Sequence, residues 1–196
     1  MTLTATVAAS AGVFRLTLLG FFMVDALDRR DLASAASLVR RGAWVNAQGN
    51  DGTSPLLLAS EPLQPATLRW LLKRGANPSL RDRIGQSPLG WAMIRHDPET
   101  ARVLLDAGAI PDQRFLRTTP LEYAAVTGDL KLIQLLLDRG ADVNLRDYDS
   151  RTPLEAIDKA SLDARTREQV IRMLRARGAV QPLAEAVAGQ NRIKGH

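Results

Sequence analysis

Two short sequence markers recur along the chain with nearly the same period, and this repetition restricts the fold more than any other feature. Gly-Ala pairs begin at residues 42, 75, 108, 140 and 178, so their spacings are 33, 33, 32 and 38 residues. Ser/Thr-Pro-Leu steps have spacings of 33, 32 and 33 and begin at Ser54, Ser87, Thr119 and Thr152. Two independent markers with one period predict an array of stacked structural repeats.

Residues 119–144 show what one repeat contains. Thr119 is a favourable N-cap, and Glu122 has the spacing of a capping box. Gly128 is expected to end this first helix and Asp129 to cap the second. The second helix carries an apolar stripe at helical spacing, made of Leu130, Ile133, Leu136 and Leu137. Neither helix can bury its apolar side alone, so the sequence predicts helical pairs that pack on neighbouring pairs.

At these positions the sequence resembles the ankyrin repeat family, over roughly residues 20 to 180. The motifs that carry the resemblance are Thr119-Pro-Leu-Glu-Tyr-Ala-Ala, Gly140-Ala-Asp-Val-Asn and Asp147-x-x-x-x-Thr-Pro-Leu. The resemblance implies an all-α fold, an ankyrin-type helical solenoid of about five helix-turn-helix units joined by short turns or β-hairpins. The expected domains are a flexible N-terminal segment at 1–20, an ankyrin repeat domain at 21–180 and a C-terminal tail at 181–196.

The N-terminal region admits two interpretations. Residues 16–24 form an apolar run that is too short to span a bilayer as a helix, and no membrane span is predicted. As the core of a signal peptide cleaved after Ala26, this run would make residues 1–26 an export signal. The favoured interpretation pairs a helix at 21–27 with the next one as an N-terminal capping repeat, which cleavage would destroy. The expected location is therefore cytoplasmic, with an exported or periplasmic protein as the alternative.

Composition restricts the kind of partner. The chain has 26 Lys and Arg against 21 Asp and Glu, a net charge of +5, which is compatible with a partner that has an acidic face; the favoured interpretation is a soluble, arginine-rich surface. Nucleic acid is disfavoured as that partner, because arginines are spread over every repeat with aspartates between them and aromatic residues make up only 5%. The absence of cysteine excludes disulfides, thiolate metal sites and a cysteine nucleophile.

The sequence shows no pattern that is typical of an enzyme. Only two histidines are present, the C-terminal His196 and His96 in a predicted interhelical turn, whereas a zinc site needs about four ligands. The glycines recur as helix ends, and none forms a phosphate-binding loop between a strand and a helix. No catalytic residue, metal site, cofactor or small-molecule substrate is therefore predicted.

Binding is expected on one face of the repeats. The family resemblance implies a concave surface formed by the first helices and the tips of the turns between repeats. Tip side chains have no expected role in the core, so exposed apolar residues flanked by arginine there indicate an interface. The predicted partner-binding residues are Arg83, Ile84, Phe115, Leu116, Thr118, Tyr148, Asp149 and Arg151. Alternatively, the apolar members pack along the row of turns and stiffen it.

Phe115 and Tyr148 are central to this prediction, because they lie 33 residues apart and are expected at equivalent exposed tips. The predicted function is a non-enzymatic scaffold that binds another protein through its concave face and turn tips. An exported ankyrin-type inhibitor or effector is the alternative, and a nucleic-acid-associated basic protein is the third.

Overall fold

The computed structural model describes residues 19–20, 22–27, 29, 31–60 and 65–180. Within these ranges the regular structure is helical, and the one strand-like pairing is an isolated bridge between Phe115 and Thr118. The labelled helices are α1 (Leu32–Arg40), α2 (Pro55–Ala59), α3 (Pro65–Leu72), α4 (Pro88–Ile94), α5 (Pro98–Asp106), α6 (Pro120–Thr127), α7 (Leu130–Asp138), α8 (Pro153–Ala156) and α9 (Ala164–Ala176). The 3-10 helix Ile157–Lys159 continues α8. The predicted all-α class is confirmed.

Residues 22–27 are helical and precede α1, as expected for an N-terminal capping repeat. Met23 and Leu27 are fully or almost fully buried, and the carboxylate of Asp31 caps α1 by accepting the N–H of Ser34 at 2.9 Å. Most of the alternative export signal at 1–26 lies outside the described residues, as does the predicted tail at 181–196.

The chain divides into two compact units between Ala109 and Ile110. In the N-terminal unit α2 packs on α3, α4 packs on α5, and the first helices α2 and α4 contact each other. In the C-terminal unit α6 packs on α7 and α8, and the second helices α7 and α9 contact each other. Within each unit, the helical pairs therefore bury apolar sides against each other, as the repeat pattern predicts.

The predicted caps are present. Thr119 and Glu122 form a capping box at the start of α6, and Thr152 begins α8 in the same way. Gly128 ends α6 with a positive φ of 72°, and Asp129 caps α7. The apolar stripe of α7 faces the core, where Ile133 and Leu136 are fully buried. A Cβ atom at residue 128 would also lie within 3 Å of the side-chain methyl groups of Thr166 and Leu162, so a larger residue would require these side chains of the fifth repeat to shift.

The fifth repeat is longer than the others, and the 38-residue spacing of its Gly-Ala pair would be explained most simply by a longer interhelical turn at 161–166. From N-cap to N-cap, however, the distance from Thr152 to Asp163 is 11 residues, only one more than from Thr119 to Asp129. The remaining four residues lengthen the second helix, because α9 has 13 residues and α7 has nine. About one additional helical turn therefore accounts for most of the insertion.

Asparagine side chains join consecutive repeats within each unit. The side chain of Asn46 accepts the N–H of Asn77 at 2.7 Å and donates to the carbonyl of Gly75 at 3.2 Å. Asn144 makes the matching pair of bonds to the N–H of Val180 and the carbonyl of Gly178. These bonds pair backbone groups of the turns that follow the second helices α3 and α9. They also fix each repeat relative to the next.

Candidate functional site

Two of the tip turns have the same five-residue form and begin with an aspartate. In the N-terminal unit Asp82 donates its N–H to the carbonyl of Gln86 at 3.0 Å, and its carboxylate accepts the N–H groups of Ile84 and Gln86. In the C-terminal unit Asp147 donates its N–H to the carbonyl of Arg151 at 2.9 Å, and its carboxylate accepts the N–H of Arg151 at 2.7 Å. The aspartate thus holds the turn closed, and the two residues that follow it are exposed.

The predicted tip residues of the N-terminal unit are exposed. Ile84 is 78% exposed, the highest value among the large apolar side chains of the described residues, and Arg83 is exposed beside it. The N–H of Arg83 donates to the carbonyl of Asp51 in the preceding tip at 2.9 Å. A backbone bond therefore joins these two neighbouring tips.

The turn at 115–118 contradicts the prediction for Phe115. Its side chain is fully buried (0% exposed), and its ring meets that of Tyr123 edge to face with centroids 5.5 Å apart. Phe115 and Thr118 bond each other through both backbone N–H groups, at 3.2 and 3.1 Å, so this turn is one residue shorter than the aspartate turns. Phe115 is therefore a core residue and does not belong to an exposed binding surface.

The short turn explains the error in the predicted alignment. Phe115 follows Gly108 by seven residues, as Asp147 follows Gly140, so these two residues begin their turns at the same position. The prediction counted backwards from the next helix, across the missing residue, and thereby paired Phe115 with Tyr148. The residue equivalent to Tyr148 is Leu116, which is 55% exposed and has a positive φ of 50°.

Leu116, Arg117, Tyr148 and Asp149 form an exposed surface that we call the tip patch. Tyr148 is 57% exposed, and its N–H donates to the carbonyl of Arg117 at 3.4 Å. The guanidinium carbons of Arg114 and Arg117 lie 5.7 and 5.8 Å from the centre of the Tyr148 ring, within the range of a cation–π interaction. Arg117 also pairs with Asp149 at 3.3 Å. The ring is thus held in place while much of its surface stays accessible.

A charged network lies directly beneath the tip patch. The guanidinium of Arg151 contacts Asp147 at 2.9 Å, Asp149 at 3.1 Å and Glu122 at 3.6 Å. The hydroxyl of Thr118 donates to the other oxygen of Glu122 at 2.6 Å. The predicted site residues Thr118 and Arg151 are therefore brought together around the buried Glu122. They support the patch from within, a role that sequence spacing did not indicate.

Burial raises the pKa of the Glu122 carboxyl. The neighbouring Asp147 raises it further, because its negative charge makes ionisation of Glu122 less favourable. Burial acts in the same direction on Asp147. Its bonds from the backbone N–H and guanidinium of Arg151 outweigh that effect and lower the pKa of Asp147. This network fixes the position of the turn at 147–151 relative to α6.

No group that could bind a metal ion is found in the described part of the chain. None of its His, Asp and Glu residues form a group of three or more that could hold a metal ion. His96 lies in the turn between α4 and α5 with a positive φ of 52°. None of the described helices is long and apolar enough to cross a membrane.

Comparisons with known proteins agree with this architecture. A family model described as ankyrin repeats (3 copies) matches residues 56–147, and one described as ankyrin repeats (many copies) matches residues 121–175. A search of the curated proteins found no match. Ankyrin repeats are generally protein–protein interaction modules without enzymatic activity. The two matches together extend from residue 56 to residue 175 and agree with the helical pairs, caps and tip turns, and the chain belongs to the ankyrin repeat family.

Proposed function

We propose that this chain is a non-enzymatic scaffold that binds another protein through its turn tips and first helices, with the tip patch at the centre of the contact. The observation that carries the proposal is the pair of exposed side chains, Leu116 and Tyr148, on adjacent tips. Their position is held by a backbone bond and by the stacked guanidinium groups, so little ordering is needed on binding. Rigid tyrosine side chains beside arginine are typical of interface hot spots.

The expected partner presents apolar surface together with acidic groups. Arg114 and Arg117 border the Tyr148 ring, and the whole chain has a net charge of +5. Acidic groups on the partner would therefore be attracted during the encounter and would find cations at the edge of the patch. In the N-terminal unit, Arg83 and Ile84 offer a similar combination and form a proposed contact of that unit.

The test is quantitative affinity purification of the tagged full chain, comparing the wild type with a Leu116→Ala, Tyr148→Ala double variant. Trp44→Ala serves as the matched control, because Trp44 is 61% exposed but lies in the turn after α1, away from the tips. Truncation of a hot-spot aromatic costs about 2 kcal/mol or more, which is roughly a thirtyfold loss of affinity. Proteins retained by the wild type and the control but lost with the double variant would support the proposal. Equal retention by all three would move the binding site elsewhere.

A cytoplasmic location is part of the same proposal. Met23 is fully buried in the N-terminal unit, so cleavage after Ala26 would remove a core side chain as well as most of the helix that contains it. Export of an inhibitor or effector is the alternative. N-terminal sequencing of the protein recovered from cells decides between them, since a mature chain that begins at Leu27 would favour export.

A further inference from the structure

A cleft lies beside the tip patch in the C-terminal unit, between α6 and the end of α8. Its volume is about 250 Å³, below the roughly 300–1,000 Å³ of typical small-molecule sites. Thr118 and Arg151 line it, and Arg151 contacts Asp149 of the tip patch at 3.1 Å. A space of this size next to an exposed hot-spot candidate suits a single side chain of a bound protein better than a separate small molecule.

The cleft is lined by both apolar and charged side chains. Tyr123, Val126 and Ala156 form the apolar part. The ring of Tyr123 is held from behind by Phe115, which keeps this wall in place. An occupant therefore needs an apolar stem that can lie along these side chains.

The charged side chains that line the cleft differ in whether they have ion-pair partners. Glu122 is almost completely buried, and it accepts the hydroxyl of Thr118 and pairs with Arg151. Arg151 in turn contacts three carboxylates. Lys159 lines the cleft from the 3-10 helix and is exposed, and no ion-pair partner for it is found among the described residues. The neighbouring Asp158 is 4.0 Å from Arg167.

Among the ionisable side chains that line the cleft, Glu122 and Arg151 pair with each other, and Arg151 is further engaged by Asp147 and Asp149. Lys159 is the lining cation that remains available to an acidic group of an occupant. Resting on the proposed function, we propose that the cleft receives one acidic side chain of the bound protein segment, with Lys159 pairing its carboxylate. The segment would place an apolar residue on the tip patch and a glutamate or aspartate in the cleft.

The probe is a library of random peptides, each fused through its C-terminus to the displaying carrier protein. No free terminal carboxylate then competes with the acidic side chains. Peptides selected on the full chain are expected to combine an acidic with an apolar residue. Affinity for the best peptide should fall by up to about fivefold with Lys159→Met and further with Lys159→Glu. Lys131→Glu is the matched control, because Lys131 is an exposed lysine of the same unit on α7, outside the cleft.

A double-mutant cycle makes the assignment specific. Replacing the acidic residue of the peptide by its amide should weaken binding to the wild type but cause little further loss with Lys159→Met, because both changes remove one interaction. Independent, additive losses or selected peptides with a basic residue at that position would overturn the proposal. Peptides that need Tyr148 but not Lys159 would overturn it while leaving the proposed function intact. Peptides that need neither would contradict both.

Discussion

The turns at 115–118 and 147–151 begin at the same position of their repeats but are stabilised by different chemistry. Asp147 holds a five-residue turn by accepting bonds from Arg151, whereas Phe115 holds a shorter turn by burying its ring beside Tyr123. The position that begins the turn therefore belongs to the interior in both cases. The next position, occupied by Leu116 and Tyr148, faces solvent and is free to bind.

The largest expected effect separates the two aromatic residues. Phe115→Ala removes a fully buried ring and should lower the free energy of unfolding by about 3–5 kcal/mol, similar to the roughly 2–5 kcal/mol expected for Leu136→Ala in the core of α7. Tyr148→Ala should change it by about 0.5 kcal/mol or less, because the ring is largely exposed. Urea unfolding of the three variants measures the difference. Equal losses for Phe115→Ala and Tyr148→Ala would contradict the assignment of interior and surface.

A smaller loss is expected when the aspartate turn is opened. Asp147→Ala removes the acceptor for the backbone and the guanidinium of Arg151 and should cost roughly 1.5–3 kcal/mol. Asp82→Ala should cost less, because Asp82 is only half-buried and water can replace its bonds to the turn N–H groups. Chemical unfolding of both variants provides the comparison. A greater loss at Asp82 would show that the network around Arg151 contributes little.

The same network predicts a pH dependence. The folded state lowers the pKa of Asp147. Its contribution to the free energy of unfolding is therefore complete above the pKa in the unfolded chain, about 3.9, and is lost as the pH falls below that value. Glu122 has a raised pKa and acts in the opposite direction, since its protonation on acidification relieves a cost of burial. Asp147→Asn should therefore lose less stability than the wild type between neutral pH and about pH 3. Parallel losses in thermal unfolding would mean that Asp147 does not titrate differently in the folded state.

The smallest expected effect on stability separates folding from binding. Leu116 and Ser150 both have a positive φ, of 50° and 61°, so glycine at either position should stabilise the fold by about 0.5–1 kcal/mol. Leu116→Gly should at the same time weaken partner capture, because it removes an apolar side chain of the tip patch. Ser150→Gly is the matched control in the neighbouring tip turn and should leave capture unchanged. A loss of stability with Leu116→Gly would show that its side chain packs against the fold.

The repeat pattern was sufficient to predict the helical pairs and their caps, because capping and apolar spacing are local properties of the chain. The exposure of Ile84, Leu116 and Tyr148 was also predicted. The error at Phe115 came from aligning the tips on the following helix, although the 32-residue spacing from Gly108 to Gly140 already indicated a missing residue. The contacts of Arg151 with Glu122 join residues from different repeats, and no short-range pattern marks such contacts.

Hydroxyl-radical footprinting of the free chain tests the central claim most directly, because it reports the accessibility of both rings in one experiment. The account predicts rapid oxidation of Tyr148 and Leu116 and strong protection of Phe115 until the C-terminal unit unfolds. Oxidation of Phe115 in the folded chain at a rate close to that of Tyr148 would contradict the account, since it would return Phe115 to the exposed tips.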